Sequence, residues 1–78
     1  DSISGVAYND HGRSLYSLTQ YDSAISYYRK GIPIQIKLND SLGLAKLYNK
    51  IALSFQLLGK YDSTAYYYYQ SIELFDAL

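Results

Sequence analysis

Between residues 41 and 58 the apolar positions Leu44, Leu47, Tyr48, Ile51, Ala52, Phe55 and Leu58 fall at steps of three and four, with polar residues between them. That spacing puts them on one stripe of an α-helix. Gly59 follows directly, where glycine takes the left-handed conformation that ends a helix without a Cβ clash. A second stripe then runs through Tyr61, Ala65, Tyr68, Ile72 and Phe75 and forms the core face of a second helix. Asp62 falls in its first turn, where the positive end of the helix dipole favours a carboxylate. Residues 41–78 therefore read as a helix hairpin joined by a turn of two or three residues.

The preceding residues follow the same plan less regularly. Tyr8, Gly12, Leu15 and Leu18 mark a leading helix, and Tyr21, Ala24, Ile25, Tyr28 and Ile32 mark its partner. Thr19-Gln20 stands where the second half has Gly59-Lys60, so this turn must end its helix without a glycine. Pro33 lies inside the continuing apolar pattern. Its missing N–H leaves the Arg29 carbonyl without a helical donor, which predicts a kink or a helix end near Gly31-Ile32-Pro33. Asn39-Asp40-Ser41 supplies turn residues and N-cap candidates for the third helix. The predicted helices span about 3–18, 21–38, 41–58 and 61–77 in an all-α chain.

Laying residues 1–38 on 41–78 gives eleven identities, among them Tyr8/Tyr48, Asn9/Asn49, Leu18/Leu58, Tyr21/Tyr61, Asp22/Asp62, Ser23/Ser63 and Tyr28/Tyr68. The chain is one unit written twice, 1–40 and 41–78. A fixed period of this size marks a helical solenoid, whose units bury their apolar faces by stacking on neighbours. About three units are normally needed for stability, and 78 residues hold two. Beginning at Asp1 and ending in Phe75-Asp76-Ala77-Leu78, the sequence reads as a piece of a longer chain.

Charge and composition then narrow the function classes. Seven basic and seven acidic residues cancel, which removes the long-range positive field that nucleic acid or an anionic membrane requires. No apolar run approaches a membrane span. With no cysteine and one histidine, His11, neither a disulfide framework nor a metal-ligand spacing is present, and no cofactor is expected. His11 takes the place of Ile51 and reads as a packing residue. Ser23 and Ser63, beside Asp22 and Asp62 in helix first turns, read as capping groups rather than nucleophiles. The compartment, cytoplasm or periplasm, stays open.

These residues resemble the tetratricopeptide repeat family over essentially the whole chain. Ala52, Phe55, Gly59-Lys60-Tyr61, Tyr68 and Ser71 fill the family's signature positions in the second copy, with Thr64 where alanine is usual. Gly12, Leu15, Tyr21, Ala24, Tyr28 and Gly31 fill them in the first. The 40-residue period exceeds the family's usual 34, and the extra residues are expected to lengthen both the helices and the link between repeats. In this the chain is similar to repeat arrays of bacterial signalling regulators.

The resemblance implies a non-enzymatic interaction module, with a peptide or protein segment bound in a concave groove lined by the first helix of each repeat. Mapped onto that face are Val6, Asn9, Arg13 and Tyr16 from the first copy and Lys46, Asn49, Leu53 and Gln56 from the second. An asparagine can donate to and accept from a peptide backbone at once, so Asn9 and Asn49 are either ligand contacts or ordinary solvated positions. The alternative is a spacer or self-association surface. Tyr66 and Tyr69 replace Ser26 and Arg29, and tyrosine at such sites favours an interface with an adjacent repeat or a second copy. Tyr67 and Tyr68 read as structural.

Overall fold

The computed structural model describes the backbone of residues 5–78 and side chains from residue 7 onward. The described residues form four helices in succession: α1 (Gly5–Ser17), α2 (Tyr21–Lys37), α3 (Ser41–Leu57) and α4 (Tyr61–Ala77). Helix α1 packs on α2, α2 on α3, and α3 on α4. The resulting slab measures 31 × 30 × 14 Å, so no helix is surrounded on all sides. Two of the four have packed neighbours on both flanks.

All three turns share one geometry. The N–H groups of Gln20, Asp40 and Lys60 donate to the carbonyls of Leu15, Gln35 and Phe55, five residues back. Those of Thr19, Asn39 and Gly59 donate to Tyr16, Ile36 and Gln56. This double bond pattern is the Schellman ending, and it needs a left-handed residue in the middle. Gly59 takes φ +76° as expected, while Thr19 (φ 61°) and Asn39 (φ 54°) adopt the same conformation without glycine's freedom. Thr19 is β-branched, which makes its turn the costliest of the three. Its hydroxyl donates to the Leu18 carbonyl at 2.6 Å. The link between the two repeats is thus as short as the turns inside them, and the additional residues of the period lie in helices alone.

Two expectations about helix ends are corrected. Of the kink or helix end expected near Pro33, the end is excluded, since α2 runs through Pro33 to Lys37. Ser23 and Ser63 do not cap: α2 and α4 start after Gln20 and Lys60 with no side-chain cap hydrogen bond, leaving Asp22 and Asp62 to act on the helix dipole. Asp40 does cap, its Oδ1 accepting from the Gly43 N–H at 2.9 Å.

The core lies between α2 and α3, where Ala24, Ile25, Tyr28, Leu47, Ile51 and Phe55 form one buried cluster, with Leu15, Tyr16, Ile32, Leu58 and Tyr67 against it. Gly12 is required beside it, since a Cβ there would stand 2.6 Å from the Tyr28 ring. Helix α4 joins α3 through a different stripe from the one its periodicity suggests. Thr64 and Ser71 are its buried residues, and Ser71 Oγ donates to the Ala45 carbonyl at 2.8 Å. Tyr61, Ile72 and Phe75 face outward, 70 %, 55 % and 44 % exposed. The reason is that, among the described residues, α2 packs on two helices and α4 on one.

His11 is exposed rather than packed in Ile51's manner, its ring centroid 4.3 Å from that of Tyr27. Tyr67 is structural as expected: its ring stacks on Phe55 at 5.6 Å, and its hydroxyl accepts from Arg29 at 3.2 Å. The Arg29 guanidinium lies 5.6 Å from the Phe55 ring centre, tying α2 to both later helices.

Candidate functional site

Helices α1 and α3 meet across the face on which the ligand residues were placed. At its centre lies Lys50, whose Nζ donates to Asn9 Oδ1 at 2.7 Å. A cavity of about 190 Å³ beside it is lined by Arg13, Tyr16, Tyr28, Lys50 and Leu53. Three of the expected residues, Arg13, Tyr16 and Leu53, are therefore brought together. Lys50 and Tyr28 complete the set and were not among them. Spacing shows Lys50 to be a member, because it is four residues after Lys46 and three before Leu53 and so shares their helix face.

The electrostatics of this pocket are unbalanced. Burial lowers the Lys50 pKa below the usual lysine value, and the positive charges of Arg13 and Lys46 lower it further, against the opposing pull of Asp10. Asp10 is drawn to Arg13 at 4.0 Å, a long contact between exposed groups that contributes little. Three cations thus converge on one face with a single carboxylate among them. Burial also raises the pKa of the Tyr28 hydroxyl, with Arg13 pulling it back, and raises that of Tyr16. Both remain protonated hydroxyls at neutral pH, able to donate to an acceptor.

The other expected residues are placed differently. Asn9 is half-buried and held by Lys50, so its carbonyl oxygen is engaged across the helices. Asn49 is exposed, and the sequence equivalence of the two asparagines does not become a structural one. Gln56 lies at the far end, its Oε1 accepting from the Tyr68 hydroxyl at 3.3 Å. Lys46 is exposed at the near end. The side chain of Val6 lies outside the described residues. Tyr66 and Tyr69, 58 % and 64 % exposed, are on α4 and take no part in this face.

A larger open cleft of about 700 Å³ runs between α2 and α4, lined in part by Arg29, Lys30 and Lys60. Its arginine is already engaged by Tyr67 and the Phe55 ring, and Lys30 lies 4.7 Å from the Tyr27 ring centre. Volume alone does not make it the better site. Among the described residues no group of His, Asp or Glu is arranged to hold a metal ion, and no helix is long and apolar enough to cross a membrane.

Comparison with known proteins agrees with this architecture. The family model described as "Tetratricopeptide repeat" matches residues 4–77. No curated protein and no solved structure matches the chain. Two helix hairpins joined by equivalent turns, a small residue beneath a tyrosine in the first, and a family match over nearly every residue lead to one assignment. The chain belongs to the tetratricopeptide repeat family, whose members are in general protein–protein interaction modules.

Proposed function

We propose that this chain is a non-catalytic binding module that takes an extended peptide or protein segment across the face shared by α1 and α3, and that an acidic side chain of the segment settles over Lys50. The observation that carries the reading is the Lys50 environment: a partly buried ammonium with Arg13 and Lys46 nearby and Asn9 as its hydrogen-bond partner. A carboxylate placed there would relieve the crowding of like charge and gain charge-assisted hydrogen bonds, which are about twice as strong as neutral ones. Tyr16 and Tyr28 would donate from the pocket wall, and Leu53 would give apolar contact to the segment's backbone or a neighbouring side chain. A parent protein of signalling or regulatory type is supported by the resemblance of the period to such repeat arrays.

The test is fluorescence anisotropy with labelled peptides that present an Asp or Glu in an otherwise neutral extended sequence, against the same peptides carrying Asn or Gln. Binding is expected for the acidic set, weakening by at least about tenfold in Lys50→Met, the loss of roughly one charge-assisted hydrogen bond. The variant should melt no lower than the parent, because it removes a half-buried charge. Equal binding of acidic and neutral peptides, or no effect of Lys50→Met, would contradict the reading.

A further inference from the structure

The cleft between α2 and α4 carries positive charge that the described residues leave unmatched. Arg29, Lys30 and Lys60 stand along it against one carboxylate, Asp22, while Asp62 belongs to an adjoining notch at the start of α4. Among the described residues the one ion pair is Arg13 with Asp10, so none of these three cations has a carboxylate partner. The cleft lies between the two repeats and not at an outer edge. Helices α2 and α4 supply its walls, with Phe55 of α3 between them.

Arg29 is the fixed member of the set. Its guanidinium lies 5.6 Å from the Phe55 ring centre and 5.9 Å from that of Tyr67, and it donates to the Tyr67 hydroxyl at 3.2 Å. A hydroxyl and two ring faces orient the planar fork without neutralising it, and they leave most of its N–H donors unused. The entropy of holding this long side chain still is therefore lost before a ligand arrives. Ser26 and Ser63 add hydroxyls from opposite walls. These groups are not part of the repeated pattern: Arg29 stands where the second copy has Tyr69, Ser26 where it has Tyr66, and Lys60 where the first copy has Gln20. The charge belongs to this junction.

We infer that this cleft is a second recognition site, which takes a phosphorylated serine or threonine of an extended partner segment. Three cations less one carboxylate leave two positive charges in it. A phosphate monoester brings about −1.5 to −2 at neutral pH and three acceptor oxygens. Two of those oxygens match the Arg29 fork, and the third is left for the Lys60 ammonium or a serine hydroxyl. A single carboxylate has fewer oxygens and less charge to set against the repulsion of Asp22, so it gains less here. At roughly 700 Å³ and open along its length, the cleft has room for the residues on either side of the phosphate. A lipid headgroup carries the same chemistry, but seven basic and seven acidic residues cancel over the chain and leave no field to hold a charged surface. The cleft shares no lining residue with the Lys50 pocket, so the inference stands apart from the peptide site proposed there.

Fluorescence anisotropy on the 78-residue chain tests it, with a labelled neutral peptide that carries phosphoserine at its centre, or Ser or Glu in its place. The phosphoserine peptide should bind at least about tenfold more tightly than either. Arg29→Gln should weaken it about tenfold, and Lys60→Gln about threefold, as for an exposed charge. Lys37→Gln, an equal loss of charge at the end of α2, should leave it unchanged. Circular dichroism controls for folding, and Lys60→Gln decides if Arg29→Gln does not fold. Amide shifts induced by the phosphopeptide should gather at Ser26, Arg29, Lys60 and Ser63. Equal binding of the phosphoserine peptide and either of the others, or indifference to both cleft variants, would overturn the inference. So would shifts gathered at Asn9, Arg13 and Leu53, which would give the phosphate to the α1–α3 face. Sedimentation with phosphatidylserine vesicles, lost in Lys60→Gln, would assign the cleft to a membrane instead.

Discussion

Helices α2 and α4 are built on one pattern and live in different surroundings. Tyr28 and Tyr68 occupy the same register, as do Ile32 and Ile72, yet Tyr28 is 2 % exposed beneath Gly12 and between two helices, whereas Tyr68 is half-buried and Ile72 is 55 % exposed. The residues did not change; the neighbours did. Burial in a stacked repeat is therefore a property of the pair of units rather than of the helix, and the same tyrosine contributes differently in each copy.

The sharpest way to break that comparison is to truncate both tyrosines. Tyr28→Ala is expected to cost about 3–4 kcal/mol, within the range for deleting a buried aromatic, and Tyr68→Ala about 1 kcal/mol. Urea denaturation followed by circular dichroism would measure both. A chain of this size has only a few kcal/mol in hand, so the first variant should be largely unfolded at room temperature. Equal losses would mean that α4's outer face is as buried in solution as α2's.

The turns give a second contrast of smaller size. Thr19 and Gly59 hold the same left-handed conformation, so exchanging their residue types should move stability in opposite directions. Gly59→Thr should cost about 1–2 kcal/mol, and Thr19→Gly should gain up to about 1 kcal/mol where its hydroxyl bond to Leu18 does not offset the relief. Thermal melts of the two variants read this directly. A loss in both would show that the Thr19 hydroxyl matters more than its backbone strain.

The smallest effect concerns Gln35, which stands where α4 has Phe75. Its Oε1 is buried with no hydrogen-bond partner among the described residues. Replacing the amide by a leucine of similar volume removes that uncompensated acceptor, and Gln35→Leu should stabilise the chain by about 0.5–1 kcal/mol. A destabilised variant, measured by the same urea titration, would indicate a bridging water at that position.

Much of this architecture is legible in the residues. Apolar steps of three and four gave four helices because each has one face that must be covered, and Gly59 marked a turn because no other residue takes positive φ so cheaply. The other two turns were harder to read, since Thr19 and Asn39 reach the same conformation under tertiary constraint and not by preference. Periodicity also showed that Tyr61, Ala65, Ile72 and Phe75 share a stripe without saying what covers it, because a stripe is a demand and its satisfaction depends on a neighbour. On the proposed binding face, comparing the copies favoured the repeated Asn9/Asn49. The residue at the centre, Lys50, is opposite Asp10 in the other copy, and a difference between copies carries no weight in a search for identities. Its partnership with Asn9 joins residues 41 positions apart, which spacing along one helix does not encode.

Where a ligand sits on the chain tests the proposed site most directly. Two-dimensional NMR of the chain titrated with an acidic extended peptide would show it, with backbone amides and the Lys50 ammonium as reporters. The prediction is that the largest shifts gather at Asn9, Arg13, Tyr16, Lys50 and Leu53, and that the Lys50 side-chain signal moves as its ammonium gains a carboxylate partner. Shifts gathered instead at Ser26, Arg29, Lys60 and Ser63, in the cleft between α2 and α4, would contradict it.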